Sequence, residues 1–486
     1  MQAQDNKNLW LYFYSTLVWF GLLLFTLAII YRVEVLSVVE RSEAVVLSFI
    51  VIGLISISGI AIEVRRRPYS MNIVHWLFFF MFFFLAPLCQ YLTNRFGAFP
   101  YYFSRAANTS DILFVNFLLI MWALFYGIAY HLFSVLKHRK KVRGAINGSM
   151  SGTNLYVTPS GIRLALLLSL VALFLFLNIF GLSNLTTRAL YIQALYKSIE
   201  SSPFRLIISN LIRAIPILTL AALLVTKSFW KRRTQWWIFI FMVSVITLIV
   251  NNPLGAARYW SGSLLSGFAV LLFFRKCRSG VWFVLVLMIG LLIIAPIINV
   301  TRILTVQKLS PQAFSMANLI HVLTSGDLDA YVMMLYTVKY VCEMKAPTWG
   351  YQLIGSMLFW IPRSFWPNKP LGSGAIVASE FGFPNVNVSC PLPAEGYINF
   401  GIFGLIIFAI GLGWLLATLD YAYWKRRMAF GKRKVIVTSF LSIVYPFLLG
   451  YLIFIMRGDM MSSVSSTIMF VMGGIPLLIR CPLRAQ

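Results

Sequence analysis

The sequence predicts an all-α polytopic membrane protein with about twelve transmembrane helices and one large loop outside the lipid. Three observations carry that expectation. Of 486 residues, 60% are hydrophobic and only 11% are charged, more apolar surface than a soluble fold buries. The mean hydropathy is +0.82. Apolar runs of spanning length or close to it fall near 9–31, 44–62, 73–93, 112–136, 163–183, 205–226, 236–251, 261–274, 281–298, 397–418, 435–456 and 463–479.

The first run is too long for a signal-peptide core and lacks a small-residue cleavage site, so it is expected to remain as a helix. The runs at 236–251 and 261–274 are short, and Pro253 and Gly255 between them suggest helices that break before crossing fully. With the N-terminus inside, the basic clusters at 65–67, 137–143, 227–233, 275–278 and 425–434 all fall on the cytoplasmic side, as the positive-inside rule requires. Twelve crossings then leave both termini in the cytoplasm and the large loop outside. The net charge of +27 raises a nucleic-acid reading. The clusters come one per loop, not on one continuous face, so they read as orientation signals against anionic lipid and no nucleic-acid partner is expected.

Residues 1–298 carry the first nine helices, 299–396 the large loop and 397–486 the last three, with no internal repeat of fixed period. Inside the loop, Ser325-Gly-Asp-Leu-Asp-Ala-Tyr331 opens an expected amphipathic helix. Asp327 is its candidate cap, and Leu328, Tyr331, Val332, Leu335 and Val338 recur at helical spacing. Such a helix packs on the bundle or lies in the interface. The apolar run at 351–360 is too short to span and is expected at the membrane surface, with Trp360 and Trp366 as headgroup-level anchors. Cys342 and Cys390 share the loop, where an oxidising compartment permits a disulfide that spacing alone does not establish. No Cys/His cluster has metal-ligand spacing.

Arginines at the outer helix ends are the first candidates for chemistry. Arg213 lies roughly two turns inside the sixth helix, where an ionised side chain is costly; it is functional, or it snorkels or pairs with a carboxylate. Arg258, Arg302 and Arg457 begin or end other segments on the same side. Guanidinium groups stay charged and grip phosphates bidentately, so a convergent set suits a pyrophosphate. The segment Trp360 to Pro370 is a rigid turn, fixed by three prolines and carrying Arg363 and Lys369. Its two indole rings beside two cations suit sugar stacking with anion binding, or a stiff interfacial hairpin. Glu395, with Tyr397 and Asn399 within a turn, is either a general base or sugar ligand, or a carboxylate stabilised by the helix dipole. His321, the loop's one histidine, is a second candidate base. Arg457-Gly-Asp459 matches an integrin ligand only by chance.

Trp360-Ile-Pro-Arg-Ser-Phe-Trp-Pro-Asn-Lys-Pro370, followed by Glu395-Gly-Tyr-Ile-Asn-Phe-Gly401 opening a helix, resembles the Wzy-type oligosaccharide repeat-unit polymerases of O-antigen and capsule. Arg457-Gly458 and the Arg258 segment are similar as well. The resemblance covers about the last half of the chain, and the first six helices match in topology alone. It implies a GT-C-like glycosyltransferase of the bacterial inner membrane that joins undecaprenyl-pyrophosphate-linked oligosaccharides at the periplasmic face. Metal, nucleotide sugar and other cofactors are not needed. Membrane lipids and a chain-length-regulating co-polymerase are the further partners it implies. Carried onto this sequence, Glu395 becomes the acceptor-activating candidate and Arg363 a catalytic pyrophosphate ligand beside Arg258. Arg213, Arg302, His321, Trp360, Trp366, Lys369, Tyr397 and Arg457 complete the substrate-binding set. An O-antigen ligase and a polysaccharide flippase remain alternatives.

Overall fold

A computed structural model of the protein describes residues 2–34, 42–94, 108–146, 155–181, 195, 197, 202–226, 233–252, 256–274, 277, 279–294, 316–344, 346–430 and 439–479. Arg302, the Pro253–Gly255 break and most of the basic cluster at 275–278 lie outside them. Every element among the described residues is helical.

The long elements are α1 (Gln2–Glu34), α2 (Glu43–Arg66), α3 (Met71–Thr93), α4 (Thr109–Ile146), α5 (Pro159–Phe180), α6 (Ser202–Val225), α7 (Arg233–Val250), α8 (Arg258–Ala269) and α9 (Val281–Ile289). The region expected as a loop contains α10 (Met316–Leu323), α11 (Ala330–Lys339), α12 (Tyr351–Met357) and α13 (Ser373–Glu380). The chain closes with α14 (Leu392–Phe430), α15 (Leu441–Arg457) and α16 (Met460–Met472). A helix therefore occupies each of the apolar runs read from the sequence. Seven helices among the described residues are long and apolar enough to cross a membrane.

Local chemistry fixes the helix ends. Ser70 caps α3 by accepting from the Ile73 N–H at 3.1 Å. Thr158 does the same for α5 from Gly161 at 2.9 Å, with Pro159 at the position where a missing N–H costs nothing. Two main apolar cores result, beside a small cluster of α5, α6 and α7 around Phe176, Ile212 and Ile246. The larger joins α1–α4, α9, α11 and α14, with the aromatic-rich α3 buried through its full membrane-length window. The smaller joins α5–α8 and α16. Helix α15 belongs to both: Tyr445, Leu449 and Leu452 face the first, and Ile443, Val444 and Phe447 face the second.

Of the two expectations for the helix after Ser325, packing on the bundle is the one met by α11, but the helix is not amphipathic. Residues Ala330 to Val338 are buried on every face. The helix is wedged against α3, α4, α13 and α14, and Tyr331 donates from its hydroxyl to Asn116 Oδ1 at 2.9 Å. Tyr331, Val332, Leu335 and Val338 keep helical spacing, and the other positions are filled by Ala330, Met333, Met334 and Tyr336, with Thr337 donating within the helix to the Met333 carbonyl at 2.7 Å. Asp327 does not cap; Ser325 accepts from the Asp327 N–H at 3.4 Å and opens a 3-10 turn, Gly326–Leu328, ahead of α11.

Near one end of α15 lies a polar network that charge counting along the sequence treats as orientation signal. Asp420 is fully buried and accepts from the Met71 N–H at 3.0 Å, the Tyr445 hydroxyl at 2.5 Å and the Tyr130 hydroxyl at 2.6 Å. Arg67 donates to it at 3.1 Å and lies 3.6 Å from Glu63, which also accepts from Asn72 at 3.1 Å. A buried carboxylate is tolerated only when its lone pairs are taken up, and Asp420 is surrounded by donors from three helices and the Arg67 corner.

Candidate functional site

At the other end of α15 the chain turns through Arg457-Gly458-Asp459 into α16, and each charged residue of that tripeptide reaches a different part of the 326–395 region. Arg457 donates from Nε and Nη2 to Asp329 Oδ1 at 3.1 and 2.9 Å, and from Nη2 to the Gly326 carbonyl at 3.3 Å. Ser389 donates to the same Asp329 oxygen at 2.9 Å. Asp459 caps α16 through the Met461 N–H at 2.8 Å, and its other oxygen accepts from the Gly374 N–H at 3.1 Å. A Cβ at Gly372 would fall 2.3 Å from Asp459 Oδ2, so a larger residue there would displace the capping carboxylate. Burial pushes the Asp459 carboxyl above its usual range, against the backbone N–H bonds that pull it down.

Glu395 belongs to the same junction. Its two oxygens accept from the Met460 N–H at 2.8 Å and the Ser373 hydroxyl at 2.7 Å, and it is 1% exposed. The sequence places Glu395 just ahead of a helix; it lies instead in the first turn of α14, before a reversal at Phe400 and Gly401. Gly401 holds φ at +62°, and the backbones of Gly396 and Gly404 touch across the turn. Asn399 closes this corner by accepting from the Leu353 N–H at 3.2 Å. The Tyr397 hydroxyl meets Cys342 Sγ at 3.3 Å. Cys342 and Cys390 are both free thiols, so the permitted disulfide is absent.

The Trp360–Pro370 turn is laced by its own cations. Arg363 donates to the carbonyls of Lys369 and Pro370 at 2.6 and 3.2 Å, and Lys369 donates to those of Phe359 and Ile361 at 2.7 and 3.0 Å. Burial, with Arg363 nearby, pushes the Lys369 ammonium below its usual value. Pro370 packs on Gly355, beside Met461 of the junction. Trp360 is exposed, while Trp366 meets Tyr351 edge-on at 6.3 Å.

The arginines partly converge. Arg258, opening α8, pairs with Asp327 at 2.5 Å, two residues from the Asp329 that holds Arg457. Arg213 lies with its guanidinium carbon 5.9 Å from the ring of Trp260, in the first turn of α8. Ser466 of α16 links these helices, accepting from Tyr259 at 3.4 Å and Asn210 at 3.5 Å. His321 is exposed at the end of α10. Arg258 and Arg457 thus share one acidic turn, Glu395 and the 360–370 turn reach the same junction through Met460 and Met461, and Arg213 is joined through α8. Sequence reading missed Asp329, Ser373, Gly374 and Ser389. A signal was present: Arg457-Gly-Asp459 places two opposite charges between two apolar runs, where a membrane protein normally keeps few.

Among the described residues the fold is all-helical, with helices long and apolar enough to cross a membrane and one of its polar clusters at the α15–α16 junction. No family model, curated protein or solved structure matches the chain.

Proposed function

We propose that the protein is a membrane glycosyltransferase that polymerises polyprenyl-pyrophosphate-linked oligosaccharides at the junction of α15 and α16. The observation that carries this reading is the meeting of Arg258 and Arg457 on one acidic turn, partly open to solvent, beside the Glu395–Asp459 carboxyl pair. Fixed guanidinium groups stabilise the charge that develops on a departing pyrophosphate. A neighbouring carboxylate takes a proton from an acceptor hydroxyl. The resemblance of the 360–370 and 395–401 segments to repeat-unit polymerases supports the same reaction. In this reading about twelve helices cross a bacterial inner membrane in a GT-C-like arrangement, with termini in the cytoplasm and the junction periplasmic. Undecaprenyl-pyrophosphate-linked oligosaccharide is the substrate, and a chain-length-regulating co-polymerase is the expected partner.

Chemistry in this reading divides between fixed and accessible groups. Glu395 is positioned by α16 and Ser373 and becomes a base once an acceptor hydroxyl displaces the Ser373 contact. Arg258 is the more accessible pyrophosphate ligand. Arg363 and Lys369 first hold the turn and present its aromatic edge. A carrier is the rival that one observation favours, since Glu63, Arg67 and Asp420 place charge among membrane-length helices. The test is reconstitution of the purified protein with lipid-linked repeat units. A ladder of polymer lengths supports the polymerase; flipping without any ladder supports the carrier and rejects it.

A further inference from the structure

The two arginines of the junction are held in different ways. Asp329 receives three donors on one oxygen, from Arg457 twice and Ser389 once, and its side chain is 6% exposed. Asp327 meets Arg258 at 2.5 Å with both side chains about a third exposed, 29% and 34%. The backbone beneath them is anchored on both sides. Gly326 accepts from Arg457 and Leu328 accepts from Gln90 at 3.2 Å, so the backbone of the turn is held independently of the Arg258–Asp327 pair.

We infer that Asp327 is a latch on Arg258: its carboxylate occupies the guanidinium in the resting protein and gives way to an incoming phosphate or pyrophosphate oxyanion. The inference rests on the anion-binding part of the proposed function. Solvent screens both members of the Arg258–Asp327 pair, so releasing it is cheap, whereas releasing Arg457 strands the Asp329 carboxylate, which is only 6% exposed. A pyrophosphate carries more charge than one carboxylate and offers two oxygens to the guanidinium fork, so it competes effectively. Arg258 also opens α8, where Ala257 supplies no side-chain cap and the helix N-terminus favours an anion. The latch keeps the cation from collecting unrelated anions when no substrate is present. Arg457 remains with Asp329 throughout and sets the position of the turn.

The test is calorimetric titration of inorganic pyrophosphate into the purified full-length protein. Asp327→Asn is expected to bind about two- to fivefold more tightly than the parent, the scale of an exposed ion pair. Arg258→Gln is expected to bind about tenfold or more weakly. The double variant is expected to match Arg258→Gln, because the latch acts through that side chain. Glu380→Gln, a neutralised carboxylate elsewhere in the same region, is expected to bind as the parent does. Unchanged or weaker binding by Asp327→Asn overturns the latch, as does equal tightening by Glu380→Gln or absence of pyrophosphate binding in every protein. Latch behaviour without a polymer ladder would leave the latch standing and reject the polymerase.

Discussion

The charged clusters at the two ends of α15 are built from the same residue types and behave as opposites. Around Tyr445, Asp420 and Glu63 are 0% and 1% exposed. About 18 Å along the helix, at Arg457, the Arg258–Asp327 pair remains a third open to solvent. The first cluster is closed at Asp420, whose lone pairs are filled by three donors and Arg67. The second has a fixed half, Arg457–Asp329, and a releasable half, Arg258–Asp327. Burial with full pairing makes a charge structural, and partial exposure beside a buried anchor makes it available for chemistry.

Mutations that remove one partner from each cluster break this comparison in order of effect. Asp420→Ala strands Arg67, Tyr130 and Tyr445 and is expected to cost about 3–5 kcal/mol, the scale for breaking a buried pair. Loss of monodisperse protein on heating in detergent measures it, and a melting temperature near the parent's would remove Asp420 from its structural role. Arg457→Ala releases the turn before α11 and is expected to cost about 1.5–3 kcal/mol. It should also abolish polymer extension, with Arg457→Lys failing to restore it because a point charge lacks the fork.

Glu395→Gln places an amide where two donors converge, from Met460 and Ser373, and is expected to cost about 1–3 kcal/mol. Extension is expected to stop. Normal ladders from a folded Glu395→Gln protein would exclude Glu395 as the base. Asp459 gives a smaller effect, visible in pH. Its folded-state pKa is raised above the usual 3.8, so the folded protein holds that proton more tightly than the unfolded chain. The stability it contributes is present below pH 3.8 and is lost as pH rises through the higher folded value. Melting curves across that window should flatten in Asp459→Asn. Arg258→Ala is the mildest on stability, at about 1 kcal/mol or less, because the pair is exposed. Its expected phenotype is a folded protein that does not extend glycans.

The sequence shows where apolar helices lie because their signal is local: run length and hydropathy placed a helix at every expected segment. It does not show which polar residues meet, because that depends on contacts across the chain. Asp420 pairs with Arg67 over 353 positions, and Arg457 with Asp329 over 128. The 299–396 region reads as an external loop because its polar residues dilute hydropathy. Asn116 and Gln90 supply buried partners for α11 and for the turn ahead of it, through Tyr331 and the Leu323 and Leu328 carbonyls. Arg363 and Lys369 were legible as cations, but the carbonyls they satisfy are produced by the proline turn itself and carry no side-chain signature. Glu395 was legible by position, and its partners on α16 were not.

The most direct measurement of the central claim is glycan extension by purified protein in liposomes containing undecaprenyl-pyrophosphate-linked repeat units, compared between the parent and Arg258→Ala. The expected result is a ladder of polymer lengths from the parent and only unextended units from a folded Arg258→Ala protein. A parent protein that forms no ladder, or an Arg258→Ala protein that extends normally, would contradict it.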